Sequence, residues 1–273
     1  MKTIIVPTDF SPVAINATNY AIDMALAINA SVMLLHIYQI PVAITDTPMI
    51  LVSVDELKSD AEKRLDVARQ ELERVTGGKI KIYTEARLGN VTDELQDIGV
   101  KTQPYAIVMG TTGTSAVERV IFGSNTLNVI KHITWPVICI PTGKAYGNGI
   151  KKIGLACDLR EVADTVPVEG IKKFAAQFEA EFHILNIHFE EMPEASSEQS
   201  SLLQTALSEL KPQFHFIQNK DIEEGVHEFA EKNNLDLIIT IPKKHKLLEG
   251  LFKKSSTKQL IYHSHIPVMT LHD

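Results

Sequence analysis

Three glycines and a hydroxyl stand at a spacing that could hold an anion. Gly110 and Gly113 are separated by two residues, and after nine more come Gly123 and Ser124. Glycine carries no Cβ, so a loop built from it brings backbone N–H groups against a phosphate. A helix starting near Ser124 would add unpaired N–H groups and the positive end of its dipole. Tyr105 to Met109 is a short apolar run ahead of the loop, and Leu127, Ile130 and Ile133 recur at helical spacing behind it. The context is therefore strand, loop, helix. Two glycines alone would be ordinary turn residues at a strand end. The full spacing sets the stretch apart, yet it is neither a P-loop, which needs Gly-Lys-Ser/Thr, nor the dinucleotide pattern Gly-x-Gly-x-x-Gly.

A second stretch bears on the same chemistry. Ile4-Ile5-Val6-Pro7-Thr8-Asp9 is an apolar run ending in a carboxylate, followed by Ser11-Pro12, a helix N-cap with proline at the first helical position. Asp9 can accept hydrogen bonds from vicinal hydroxyls, or it can help to cap the helix, a task Ser11 already performs. Taken together, Gly110, Gly113, Gly123, Ser124 and the strand ending at Asp9 resemble the universal stress protein family. Its ATP-binding members carry Gly-x2-Gly-x9-Gly-Ser/Thr after the fourth strand of an open α/β sheet and an aspartate on the ribose after the first.

What the resemblance implies can be set out residue by residue. Gly110, Gly113, Gly123, Ser124 and Asn125, with Thr126 beside them, would offer donors to the phosphates. Pro7, Thr8 and Met109 would line the cleft, Asp9 would take the ribose, and Ile37, at the end of the second strand, would wall the adenine. By its own residue type Ile37 reads as core. The ligand implied is ATP or a related adenine nucleotide, alone or with Mg2+. No general base, second carboxylate or arginine finger falls within the motif to make phosphoryl transfer fast, so the reading is a nucleotide-responsive regulatory binding protein with no catalytic residue. A slow ATP hydrolase and a nucleotide-independent interaction scaffold are the rival readings. The Ser-Gly-Gly-x-Asp-Ser loop of ATP pyrophosphatases and the His-Ile-Gly-His signature of class I synthetases are absent, and Lys253 to Thr257 is a loose match to the lysine-serine loop of the latter.

Composition limits the alternatives. Among 273 residues, 44% are hydrophobic and the formal net charge is −7, so packed cores are affordable and no global basic field recruits nucleic acid or an anionic membrane. No apolar run approaches the ~20 residues that span a bilayer, and the N-terminal apolar run is too short for a signal peptide, which leads to the expectation of a cytoplasmic protein. Cys139 and Cys157 sit in or beside apolar runs and read as small hydrophobes. His183 and His188 have no second ligand at a diagnostic spacing, so no metal site is assigned.

The elements around these residues appear twice. Strand, helix, strand, helix, strand, helix, strand, helix, strand accounts for Lys2 to Pro141, with a helical face at Ala14, Ala17, Ala21, Ala25 and Ile28 widened by Ile22 and Leu26. A capping box at Ser53 to Glu56 precedes Leu57, Ala61, Leu65, Ala68, Leu72 and Val75, and Gly77-Gly78 is the stop. Lys151 to Asp158 then repeats the opening strand, Phe182 to Ile187 the second, Leu235 to Ile241 the fourth and His265 to Leu271 the fifth. The fold class is α/β: two tandem, open, mostly parallel five-stranded sheets with helices on both faces. The expected domains are 1–142, a linker 143–149, and 150–273. In the family the halves pair through the fifth strand, so Pro136 to Ile140 and Pro267 to Leu271 are expected to pair antiparallel as an intrachain pseudo-dimer; a further homodimer and a regulatory protein partner are left open. Counting from Pro136 and Pro267, the second half has Ile241, Lys244 and Lys254 where the first has its three glycines. Although Asp158 survives opposite Asp9, the second half reads as degenerate for ATP, with the lysines from Lys243 to Lys254 as a solvated face.

Overall fold

The computed structural model describes residues 2–40, 53–111, 124–159, 161–189, 195–242, 260–261 and 263–272. The first half runs β1 (Thr3–Pro7), α1 (Pro12–Ile28), β2 (Ser31–Tyr38), α2 (Val54–Thr76), β3 (Ile82–Leu88), α3 (Val91–Thr102), β4 (Ala106–Gly110), α4 (Ser124–His132) and β5 (Val137–Ile140). The second runs β6 (Lys152–Ala156), α5 (Val162–Thr165), α6 (Val168–Ala175), β7 (Glu181–His188), α7 (Ala195–Ala206), a short 3-10 turn, β8 (Gln213–Gln218), α8 (Ile222–Lys232), β9 (Leu237–Thr240) and β10 (Val268–Thr270).

Local chemistry sets the helix ends. Ser11 Oγ accepts the Ala14 N–H at 3.2 Å, and α1 stops where Asn29 turns left-handed. The capping box is complete: Ser53 Oγ accepts from Glu56 N and Glu56 Oε2 accepts from Ser53 N, both at 3.1 Å. Gly77 then ends α2 with φ +60°, a conformation that costs glycine little. Two apolar faces differ from their expected extent. Leu26 and Val75 are exposed, and Thr76 is buried in place of Val75 because the turn from Leu72 at 3.6 residues per turn brings position 76 round to the sheet.

The strand order is β3-β2-β1-β4-β5-β10-β9-β6-β7-β8 in one ten-stranded sheet. Every neighbouring pair is parallel except β5 with β10. The two five-stranded halves are therefore continuous, edge to edge. Ile138 lies opposite Met269, its counterpart in the repeat, with Cys139 opposite Val268 and Val137 opposite Thr270. A pseudo-twofold axis thus passes through the joint, as in the isologous interface of a dimer.

Both faces of the sheet carry core across this joint. Helices α1, α2, α6 and α7 cover one face and α3, α4 and α8 the other. The Tyr105 hydroxyl donates to the Phe174 carbonyl at 2.9 Å, the two rings stack at 5.4 Å, and Lys2 Nζ reaches the Gln177 side chain. On the opposite face His272 Nε2 is 2.6 Å from the Ile130 carbonyl. The connection is pinned by Asn16 Nδ2, which donates to the carbonyls of Pro141 and Lys144, and by Asp236 Oδ2, which accepts from the N–H groups of Lys151 and Lys152. Cys139 and Cys157 are not joined in a disulfide, and burial pushes the Cys139 thiol up to about 12.

Ile138 and Met269 are wholly buried against each other's strands. Ile138→Ala and Met269→Ala should each destabilise the chain by about 2–5 kcal/mol. In urea denaturation the double variant should depart from the sum of the singles by more than about 0.5 kcal/mol. Strict additivity would mean that the joint is not a coupled contact.

Candidate functional site

Strand β1 leads outward to β2 on one side and lies against β4 on the other, so the strand order reverses between β1 and β4. In open α/β sheets this is where the loops diverge and leave a crevice at the carboxyl ends of the strands. Ile4 pairs with Ala106 and Ile5 with Ile107. Continuing that register sets Thr8 beside Gly110, so Pro7, Thr8, Asp9 and the end of β4 meet at one edge.

The chain is tightly held as it leaves β1. The Thr8 N–H donates to the Leu35 carbonyl at 2.9 Å, the Thr8 carbonyl lies 2.7 Å from His36 Nδ1, and Thr8 Oγ1 accepts from Phe10 N at 3.0 Å. Phe10 takes a left-handed φ of 63°, its ring sits 4.8 Å from that of His36, and the Arg64 guanidinium covers it at 4.1 Å. Asp9 Oδ1 accepts the Ser11 N–H at 2.9 Å while Ser11 caps α1, so both groups serve the turn and the Asp9 carboxylate remains at the surface. Partial burial pushes the Asp9 carboxyl up. Hydrogen bonds from Ser11 and from its own N–H, with His36 nearby, outweigh this and hold it below the usual value.

The far side of the crevice is structurally constrained as well. A Cβ on Gly110 would stand 2.5 Å from Val13 Cγ1 and 2.6 Å from the Val13 carbonyl oxygen, so glycine here lets the first turn of α1 close onto β4. Beyond it, the Thr111 N–H donates to the Ile140 carbonyl and the Thr142 hydroxyl to the Thr111 carbonyl. Helix α4 begins at Ser124, with Asn125 exposed and Thr126 buried in its first turn. Gly113 and Gly123 lie outside the described residues. Met109 is buried in the core beneath the crevice, alongside the half-buried Ile37.

Ile37 pairs with Arg87 on β3. The Arg87 guanidinium is held by Glu85 at 2.7 Å and Glu94 at 3.0 Å. The Arg87–Glu94 contact, the His36 clasp and the Arg64–Phe10 stack escape a reading of the sequence, because each joins separate parts of the chain. Only the repeat hints at the clasp: Asn186 Nδ2 donates to the Cys157 carbonyl at 3.0 Å, where His36 meets Thr8 in the first half.

In the second half Asp158 is exposed at the end of β6, and Ile241, at the position of Gly110, packs against the core. The helix corresponding to α1 is split into α5 and α6 around Pro167. Lys243 to Lys246, Lys253 and Lys254 lie outside the described residues. Among the described residues no helix is long and apolar enough to cross a membrane, and no three His, Cys, Asp or Glu side chains group as a metal site.

The model of the universal stress protein family matches residues 1–141 and again 149–272. The chain belongs to the universal stress protein family. A universal stress protein of Methanocaldococcus jannaschii is 30% identical over 146 residues, 52% of this chain and 84% of its own length. Two solved structures share the whole architecture. A universal stress protein of Archaeoglobus fulgidus has a TM-score of 0.77 at 18% identity over 99% of this chain and 98% of its own. A putative universal stress protein of Pseudomonas aeruginosa has a TM-score of 0.64 at 14% identity over 99% and 93%. These two likenesses concern the fold.

Two measurements test this account of the universal stress protein crevice. Gly110→Ala should cost about 1–3 kcal/mol of stability in urea without any ligand, through the clash with Val13. A neutral result would mean that α1 need not approach so closely. Because the folded Asp9 carboxyl titrates below the ordinary 3.8, its stabilising contribution is in place above that pH and lost as pH falls through the folded value. The melting temperature of the wild type should therefore exceed that of Asp9→Ala by a constant margin near neutral pH, and the margin should shrink below pH 3.8.

Proposed function

We propose that this universal stress protein is a cytoplasmic, nucleotide-responsive regulatory protein. Its first half, residues 1–142, binds ATP or a related adenine nucleotide, alone or with Mg2+. Its second half, residues 150–273, joined through 143–149, lacks an equivalent site and serves structure or regulation. The observation that carries this reading is the meeting, at the point where the strand order reverses, of an ionised, surface-exposed Asp9 with the glycine-bearing end of β4. A carboxylate there has the acceptor capacity for two vicinal hydroxyls. The start of α4 on the same edge supplies N–H groups and the positive end of a helix dipole for phosphate. Neither group is an evident proton shuttle, and the reading is accordingly one of binding, with the bound state passed to a protein partner.

The two ends of the ligand respond to different variants. Asp9→Ala should weaken ATP, ADP and adenosine alike by roughly ten- to hundredfold, since a hydrogen bond to a charged group contributes about 1.5–3 kcal/mol. Asp9→Asn, which keeps an acceptor for the Ser11 N–H, guards against a merely structural loss. Ser124→Ala should weaken ATP and ADP and spare adenosine. Gly123→Lys, which copies Lys254 into the first half, should abolish binding at little cost to ligand-free stability. Titration calorimetry checks all four, with one site per chain expected; two equivalent sites, or adenosine binding untouched by either Asp9 variant, would sink the assignment.

A further inference from the structure

A polar chain unrelated to the crevice crosses three strands of the second half. His215 Nε2 lies 3.0 Å from His183 Nδ1, His183 Nε2 lies 3.6 Å from Glu181 Oε2, and Glu181 Oε2 lies 3.7 Å from Lys152 Nζ. In the β7–β8 register His183 is opposite Gln213, so His215 is the diagonal neighbour on the same face. The two histidines are thirty-two positions apart in sequence, which is why no ligand spacing is visible there.

We propose that His183 and His215 form the protein side of a binding site for a divalent first-row cation of tetragonal preference, Cu2+ or Ni2+. Two imidazole nitrogens about 2.1 Å from a metal stand roughly 3.0 Å apart at a right angle, and roughly 3.4 Å apart at a tetrahedral one. At 3.0 Å the two rings share a hydrogen bond, and a cation taking the place of that proton would find the nitrogens at the right-angled spacing. The Phe229 ring packs 4.6 Å from His215 and 6.2 Å from His183 on the covering helix α8.

The outer nitrogen supplies independent support. His183 is 5% exposed, and its Nε2 has no hydrogen-bond partner. The Glu181 carboxylate, 3.6 Å away, is placed as the outer partner that would hold a proton on Nε2 and leave the Nδ1 lone pair for a metal. Glu181 is drawn close by Lys152 in this account and is a positioning residue. His215, half-buried on the edge strand β8, leaves the remaining coordination positions on its solvent side. The pair lies near the beginning of β7, away from the carboxyl ends of the strands where a nucleotide would bind.

The test uses untagged full-length protein and the Cu2+–iminodiacetate complex, which leaves two cis positions for protein ligands. One complex per chain is expected, with the electron spin echo signature of two imidazoles. His215→Ala should weaken binding by more than the ten- to hundredfold that loss of an outer partner alone costs, and His215→Gln, which keeps a donor toward His183, does the same in a fold-preserving form. His263→Ala, removing the histidine that contacts Glu223 beside His227, should leave binding unchanged. Retained affinity in both His215 variants, a one-imidazole signature, or loss in His263→Ala instead would each overturn the assignment.

Discussion

The antiparallel pairing of β5 with β10 is the constraint on which the arrangement of this molecule rests. Each half is a parallel sheet whose last strand would otherwise end in an unpaired apolar edge, a template for unwanted association. Joining the two edges within one chain removes both liabilities at once and places Ile138 against Met269 on a pseudo-twofold axis. The same geometry turns the halves end for end. The carboxyl edge of β1 to β5 and that of β6 to β10 face opposite ends of the sheet, so the crevice beside Asp9 and its counterpart beside Asp158 cannot share one ligand. Whatever the second half has become, it did so without steric interference from the first.

Divergence between the halves is visible in their packing. Gly110 admits Val13 and an unbroken α1, whereas Ile241 goes with a helix interrupted at Pro167. Loss of glycine at that position thus goes with a change in how a helix approaches the strand. The long, well-capped α2 gives way to the shorter α7 in the same manner. The Thr8–His36 clasp, by contrast, persists as Cys157–Asn186 with different side chains. What was kept is the hydrogen bond to a carbonyl at the end of the first strand, whichever residue supplies it.

Local signals in the sequence were reliable because they arise within a few residues. Ser11-Pro12, the Ser53 to Glu56 box, the stop at Gly77 and the apolar strand runs each satisfy their own backbone groups, and all appear where the pattern places them. The doubling of the pattern, together with the family resemblance, made even the β5–β10 joint legible. Residues whose roles depend on register were not legible. His36, Arg64, the Arg87–Glu94 contact and the His183–His215 pair depend on partners from other parts of the chain, and no spacing along one element encodes them. Val75 and Leu26 mark a subtler limit: at the rim of an amphipathic stripe, a fraction of a turn decides between core and solvent.

The Tyr105 to Phe174 contact ties the first half to the second. It belongs to a core cluster that holds residues of both halves, so global unfolding exposes the core of both halves together. Any ligand held only in the folded state of the first half then raises the free energy of global opening by RT ln(1 + [L]/Kd). Where proteolysis acts on that open form, the cellular lifetime of the second half becomes a gauge of a concentration it never senses directly.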